Sequence, residues 1–151
     1  MIEIFPMRAD DERCQKHLPK LLSRIIAFAG FYEPEEDAKA LVGRYLESFN
    51  TGVPTYIALV MTKDGTLVGH ALLVVEERYG VRWLNVQQYE IDRLVGHDRG
   101  QIQAWVDKVK EVAGKLNIKT IKASVRDGAR ARAFERYGFK QDYIIIKIEV
   151  T

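Results

Sequence analysis

The chain lacks most of the features that announce a function. Cys14 is its only cysteine, so no internal disulfide can form and no thiolate set can hold a metal. His17, His70 and His97 are scattered, without the close spacing of metal ligands. Apolar runs such as IIAFAGF fall far short of the roughly 20 residues that span a bilayer. The opening MIEIFPMRADD has no basic-then-apolar leader layout, which together with the lone thiol predicts a cytoplasmic protein. Charge of one sign is missing too. The 23 Lys and Arg stand against 21 Asp and Glu, and a net +2 does not argue for a nucleic-acid partner. No Gly-x-Ser-x-Gly or Walker pattern, low-complexity tract, internal repeat or Gly/Ser linker is present. What remains is an ordinary globular composition, 47% hydrophobic and 29% charged, which predicts one domain over residues 1–151.

The periodicity is more informative. Ile2 to Phe5 reads as a short strand that Pro6 should end. Leu18, Leu21, Leu22, Ile25, Ile26 and Ala29 then recur at helical spacing, with a fresh first turn expected near Pro19 and a stop at Gly30. A second helix follows, with Pro34 in its first turn and Ala38, Leu41, Val42, Tyr45, Leu46 and Phe49 on one face. The period then changes to strands. Asp64-Gly65 and Tyr79-Gly80 separate three β-rich runs, which predicts an antiparallel meander. Ile102, Trp105, Val106, Val109, Val112, Ala113 and Leu116 define one face of a third helix. IKTIKASV is a strand, DGARARAFERYG a short helix closed by Gly138, and FKQDYIIIKIEV a final strand. That last strand could pair inside its own sheet or across a dimer edge, so monomer and homodimer both stay open. The order predicts an α/β fold: a mixed sheet of about six or seven strands, an antiparallel meander followed by a parallel crossover, and helices on both faces. The switch of direction beside the meander is a usual place for a ligand.

This order, together with the strand-loop-helix from Tyr89 to Val109 and the C-terminal ARAFERYGFK, resembles the GNAT superfamily of acetyl-coenzyme A-dependent N-acetyltransferases. The resemblance covers nearly the whole chain. It implies transfer of an acetyl group from acetyl-CoA to a primary amine by direct attack, without a metal. It also admits a catalytically silent GNAT-fold binding module. In the family the loop after the fourth strand holds the cofactor's pantetheine and pyrophosphate. Its motif is Arg or Gln, two residues, Gly, one residue, then Gly or Ala. Glycines serve there because a pyrophosphate must come close to free amides at a helix N-terminus. Arg99-Gly100 matches an Arg-Gly step common in the family. Anchored on Ile102, the two small positions become Gln101 and Gln103. The resemblance assigns cofactor contacts to Arg93, Leu94, Val95, Gly96, Asp98, Arg99, Gly100, Gln101, Arg130 and Phe134. Residues Asp98 and Gln101 also have capping-box spacing, which would occupy the same amides with the chain's own side chains.

N-acetyl transfer needs a base for the amine and an acid for the departing thiolate. Glu90 on the fourth strand is the candidate base, and Asp92 is expected on the same face two residues on. Either could instead pair with Arg78 or Arg93. The family's acid is a Tyr four residues before the helix-ending glycine. Phe134 stands there and cannot donate, so Tyr137 is the candidate acid. Arg126, Arg130, Arg132 and Arg136 form either a phosphate clamp or a solvated face. His97 could line the cofactor loop or simply lie at its surface. Asn85, Gln87 and Tyr89 are expected on one face as an acceptor-cleft lining, with Trp83 on that face as core. Gln87-Gln88 in mid-strand suggests a bulge, because buried amides there need partners.

Overall fold

The computed structural model describes residues 2–32, 38–51, 55–92, 99–123, 128–140, 148 and 150. The elements are β1 (Ile2–Pro6), α1 (Glu12–Tyr32), α2 (Ala38–Thr51), β2 (Tyr56–Lys63), β3 (Thr66–Arg78), β4 (Val81–Ile91), α3 (Arg99–Lys115), β5 (Ile121–Ala123) and α4 (Gly128–Glu135). The five described strands form one sheet in the order β1-β2-β3-β4-β5, antiparallel except for the parallel pair β4–β5. This is the expected meander followed by a crossover through α3. Most of the expected final strand lies outside the described residues, and there are five described strands where six or seven were expected.

Both predicted hairpins form. Asp64 and Gly65 have φ of 51° and 79°, and Tyr79 and Gly80 have 54° and 78°. Two consecutive positive φ values give the turn whose twist suits a two-residue hairpin. At the far end of α3, Asn117 takes φ 56°, Ile118 N donates to Ala113 O, and Asn117 N donates to Gly114 O. That pattern closes the helix and satisfies its last carbonyls.

Each face of the sheet carries its own core. On one, Cys14, Leu21 and Ile25 of α1 and Leu41 and Tyr45 of α2 pack on Ala58, Val60 and Leu72. On the other, Trp105, Val109 and Ala113 of α3 pack on Leu59, Met61, Ala71, Leu73 and Leu84. The predicted faces of α2 and α3 are therefore the buried ones. Helix α1 departs from expectation at three points. It runs unbroken through Pro19 and past Gly30 to Tyr32. Its buried line is Cys14, His17, Leu21 and Ile25, while Ile26 is half exposed. Burying that line on the sheet outweighs the roughly 3 kcal/mol that an interior proline costs a helix. Strand β1 includes Pro6, opposite Leu59, because its outer edge has no described strand to bond.

Candidate active site

The site is organised by an irregularity in β4. The β3–β4 register runs His70↔Glu90, Ala71↔Tyr89, Leu72↔Gln88, then Leu73↔Val86. Gln87 is therefore the extra residue of a β-bulge, as the mid-strand glutamines suggested. A one-residue insertion reverses side-chain alternation beyond it. Leu84 and Val86 point to the α3 side, and so do Tyr89 and Ile91. Trp83 and Asn85 lie opposite Glu76 and Val74, on the face that beyond the bulge carries Gln88 and Glu90. The expected grouping of Trp83, Asn85, Gln87 and Tyr89 on one face is thus corrected. Tyr89 belongs to the other layer. Trp83 is half-buried, and the Lys122 ammonium sits 4.5 Å from its ring centroid.

On the α3 side, Tyr89 meets Trp105 edge to face at 5.6 Å and Phe134 at 6.5 Å. Burial, with the neighbouring Tyr137 and Glu90 adding to it, pushes the Tyr89 phenol well above its ordinary range, so it keeps its proton. Beside these rings is a cavity of about 140 Å³. Its walls come from Ala71 on β3, Val86 and Tyr89 on β4, Ile102, Trp105 and Val106 on α3, and Phe134 and Tyr137 around α4. The accessible lining is apolar throughout. A hollow of this size and chemistry suits a small apolar group, such as an acyl end and the thin arm behind it.

The opposite face of β4 is polar. His70, fully buried, places Nε2 2.9 Å from Gln88 Oε1. Arg24 Nε donates to His70 Nδ1 at 3.1 Å, which leaves the ring proton on Nε2 to donate to Gln88. Tyr45 Oη donates to the same Gln88 Oε1 at 3.2 Å. Arg24 also donates to Val68 O and forms a 2.7 Å ion pair with Asp92. Burial pushes His70 down to about 4, with the Arg24 charge acting in the same direction and the Gln88 bond opposing both. So Asp92 pairs with Arg24, rather than with Arg78; Arg93 lies outside the described residues. Sequence reading treated His70 as one of three scattered histidines and gave Arg24 and Tyr45 no site role. Only the polarity of Gln88 in a buried strand signalled the network.

Glu90 is half-buried on this polar face, directly opposite His70. Tyr137 follows α4 and lines the apolar cavity on the other side of the sheet, as does Phe134. Gly100 and Gln101 lie in the first turn of α3, and Arg99 is its first residue. Gln101 Oε1 is buried without a hydrogen-bond partner, so the return bond of the expected capping box, which that oxygen would accept, is not made. Arg93, Leu94, Val95, Gly96, His97, Asp98 and Arg126 lie outside the described residues, as do the side chains of Arg99 and Arg130. Arg132 and Arg136 are exposed. Among the described residues, no three His, Cys, Asp or Glu side chains converge as a metal site, and no helix is long and apolar enough to cross a membrane.

No family model matches the chain, and no curated protein matches it. Solved structures do. The chain is similar to the structure of AAC(6')-Iy in complex with a bisubstrate analog, CoA-S-monomethyl-acetylneamine, at 11% identity and TM-score 0.73, covering 100% of this chain and 99% of that one. It is similar to a ribosomal-protein-alanine N-acetyltransferase from Brucella melitensis biovar Abortus 2308, at 14% identity and TM-score 0.68, covering 99% and 100%. It is also similar to an aminoglycoside acetyltransferase, meta-AAC0020, from an uncultured soil metagenomic sample in complex with sisomicin, at 12% identity and TM-score 0.68, covering 99% and 95%. At these identities the likeness is one of fold, over nearly the full length of each chain.

Proposed function

We propose that this chain, which has the fold of the GNAT superfamily of acetyltransferases, moves an acetyl group from acetyl-CoA to a primary amine. The supporting observation is the placement of two unlike compartments back to back on β4. An apolar cavity lies under Val86 and Tyr89, and a polar face bearing Gln88 and Glu90 lies across the sheet from it. Strand β5 pairs with β4 only from Leu84 to Val86, so among the described residues the β4 edge is open from Gln87 onward, and past that edge an amine from the polar face can reach a thioester held in the cavity. A neighbour of the same fold holds a CoA-linked bisubstrate analog, and another is in complex with the amine sisomicin.

In this reading the thioester supplies an activated acyl carbon. The amine nitrogen bonds to that carbon, the carbon–sulfur bond breaks, and the sulfur takes up a proton. Glu90 accepts the proton that the amine must lose. Tyr137, on the cavity wall, supplies the one that the sulfur gains. Gly100 and Gln101 meet the cofactor at the first turn of α3, where the helix dipole favours anionic phosphate. Arg93, Leu94, Val95, Gly96, Asp98, Arg99 and Arg130 complete the proposed cofactor contacts, with Phe134 against the arm.

A melting-temperature titration with acetyl-CoA tests the reading. Cofactor at a hundredfold over its dissociation constant stabilises a protein by about 2.7 kcal/mol. Absence of any shift at saturating cofactor refutes the transferase. Given a shift, Glu90→Gln should keep it and lose amine-dependent CoA release; unchanged release removes Glu90 from the mechanism. One observation favours a second reading, a binding module without turnover. Phe134 fills the acid position with a ring packed on Tyr89 and Phe139. A cofactor shift with no CoA release for any amine would establish that reading.

A further inference from the structure

The apolar cavity lies under the point where β4 and β5 part. Strand β5 pairs with β4 only as far as Val86, and Val86 and Ile121, one from each strand, both line the cavity. Along α3 the lining runs from Ile102 to Lys110, about 12 Å at roughly 1.5 Å per residue. The cavity is not sealed, since Lys110 and Ala133, both exposed, form part of its wall. No polar atom is accessible inside it. A thioester carbonyl gains negative charge when an amine attacks, so it needs an N–H donor that this lining does not supply. The amides of the pantetheine arm need partners as well. The reacting carbonyl and those amides therefore belong at the border of the cavity, on the edge of β4 that is open from Gln87 onward among the described residues. What enters the cavity is hydrocarbon on the far side of the carbonyl.

We propose that the cavity is an acyl-chain pocket, and that the donor it selects carries a chain longer than acetyl, of the hexanoyl class. Beyond its carbonyl an acetyl group offers a single methyl. A cavity of roughly 150 Å³ in another protein takes up a benzene ring, about six carbons, and this one has about 140 Å³. A lone methyl would leave most of the walls without contacts. A hexanoyl chain fills them, running between Val86 and Ile121 on the sheet and Val109 on α3, with Lys110 giving only its alkyl stem. Each methylene so buried tightens binding about fourfold. The chain length follows from the cavity alone; the attachment of that chain to CoA rests on the transferase reading.

Calorimetric titration tests the pocket with acetyl-, hexanoyl- and dodecanoyl-CoA, and with the S-acetyl and S-hexanoyl esters of N-acetylcysteamine, which carry the thioester without the nucleotide. Hexanoyl-CoA should bind at least about 10-fold tighter than acetyl-CoA, and dodecanoyl-CoA, too long for the hollow, should gain nothing further. Val109→Phe, which puts a ring into the α3 wall, should erase the hexanoyl preference. Equal affinity for acetyl- and hexanoyl-CoA overturns the pocket and leaves the transferase reading standing. Affinity that climbs steadily through dodecanoyl-CoA, or a preference that survives in folded Val109→Phe, also overturns it. If that variant does not fold, the wild-type series decides alone. The two readings fail separately. Saturable preference for the S-hexanoyl over the S-acetyl ester, with no response to any CoA ester, keeps the pocket and removes the transferase. No response to any of the esters removes both.

Discussion

Phe134 and Phe139 meet edge to face with ring centroids 5.1 Å apart, on either side of the left-handed turn at Gly138. Phe139 N donates to Phe134 O and Gly138 N donates to Glu135 O. The two rings are thus the hydrophobic contact that accompanies this kind of helix ending. The same Phe134 ring faces the cavity. One side chain closes a helix and walls the candidate cofactor pocket at once.

Gly138→Ala should therefore act on both. At φ 96° a Cβ is strained, at a cost of about 1–2 kcal/mol. Urea unfolding should show that loss, and the displaced ring should reduce the thermal response to acetyl-CoA. Wild-type stability in this variant would mean that the turn is not held as described.

The buried imidazole gives a pH dependence. His70 would bind a proton near 6.5 in the unfolded chain but only at about 4 in the fold. Between those values the unfolded chain takes up more protons, so stability falls as pH drops from about 6.5 towards 4, by up to roughly 3 kcal/mol. Above 6.5 the contribution is fully present, and below 4 it adds no further slope. His17, also lowered by burial, acts in the same sense. Urea midpoints across this window should fall less steeply for His70→Gln than for wild type. Parallel curves would show that His70 does not carry the linkage.

Filling the cavity should separate binding from folding. Val106 lines it from α3 and is half-buried. Val106→Phe adds a ring into a hollow of about 140 Å³, which should leave the circular dichroism spectrum intact and abolish stabilisation by acetyl-CoA. A full cofactor response in that variant would place the arm elsewhere.

Tyr137→Phe removes the hydroxyl of a residue whose apolar atoms line the cavity. Stability should change by no more than about 0.5 kcal/mol, as for an ordinary surface substitution. CoA release should fall by about 100-fold or more, the scale of a lost general acid. Undiminished release would mean that the thiolate departs without help from this residue.

Much of the architecture was legible in the chain. The hairpin pairs Asp64-Gly65 and Tyr79-Gly80, the face of α3 and the Gly138 ending are local signals, and each formed as expected. What failed was non-local. Pro19 and Gly30 read as breaks because propensity ignores the sheet against which α1 packs. The face of Tyr89 was misassigned because alternation was counted through Gln87. A bulge was suspected there, but only pairing with β3 shows which residue is left over. The Arg24–His70–Gln88–Tyr45 network joins positions 24, 45, 70 and 88. No spacing rule links such distant positions, and only a polar Gln88 in an apolar strand hinted that partners existed.

The unpaired Gln87 sets which compartment every later residue of its strand serves. Were β4 to pair with β3 residue for residue through Gln87, with nothing left over, no atom of the chain would change. Yet Glu90 would swing beneath the oily underside of α3, and the Tyr89 ring would turn towards His70. Acid and aromatic would trade places, and each would arrive where nothing is built to receive it.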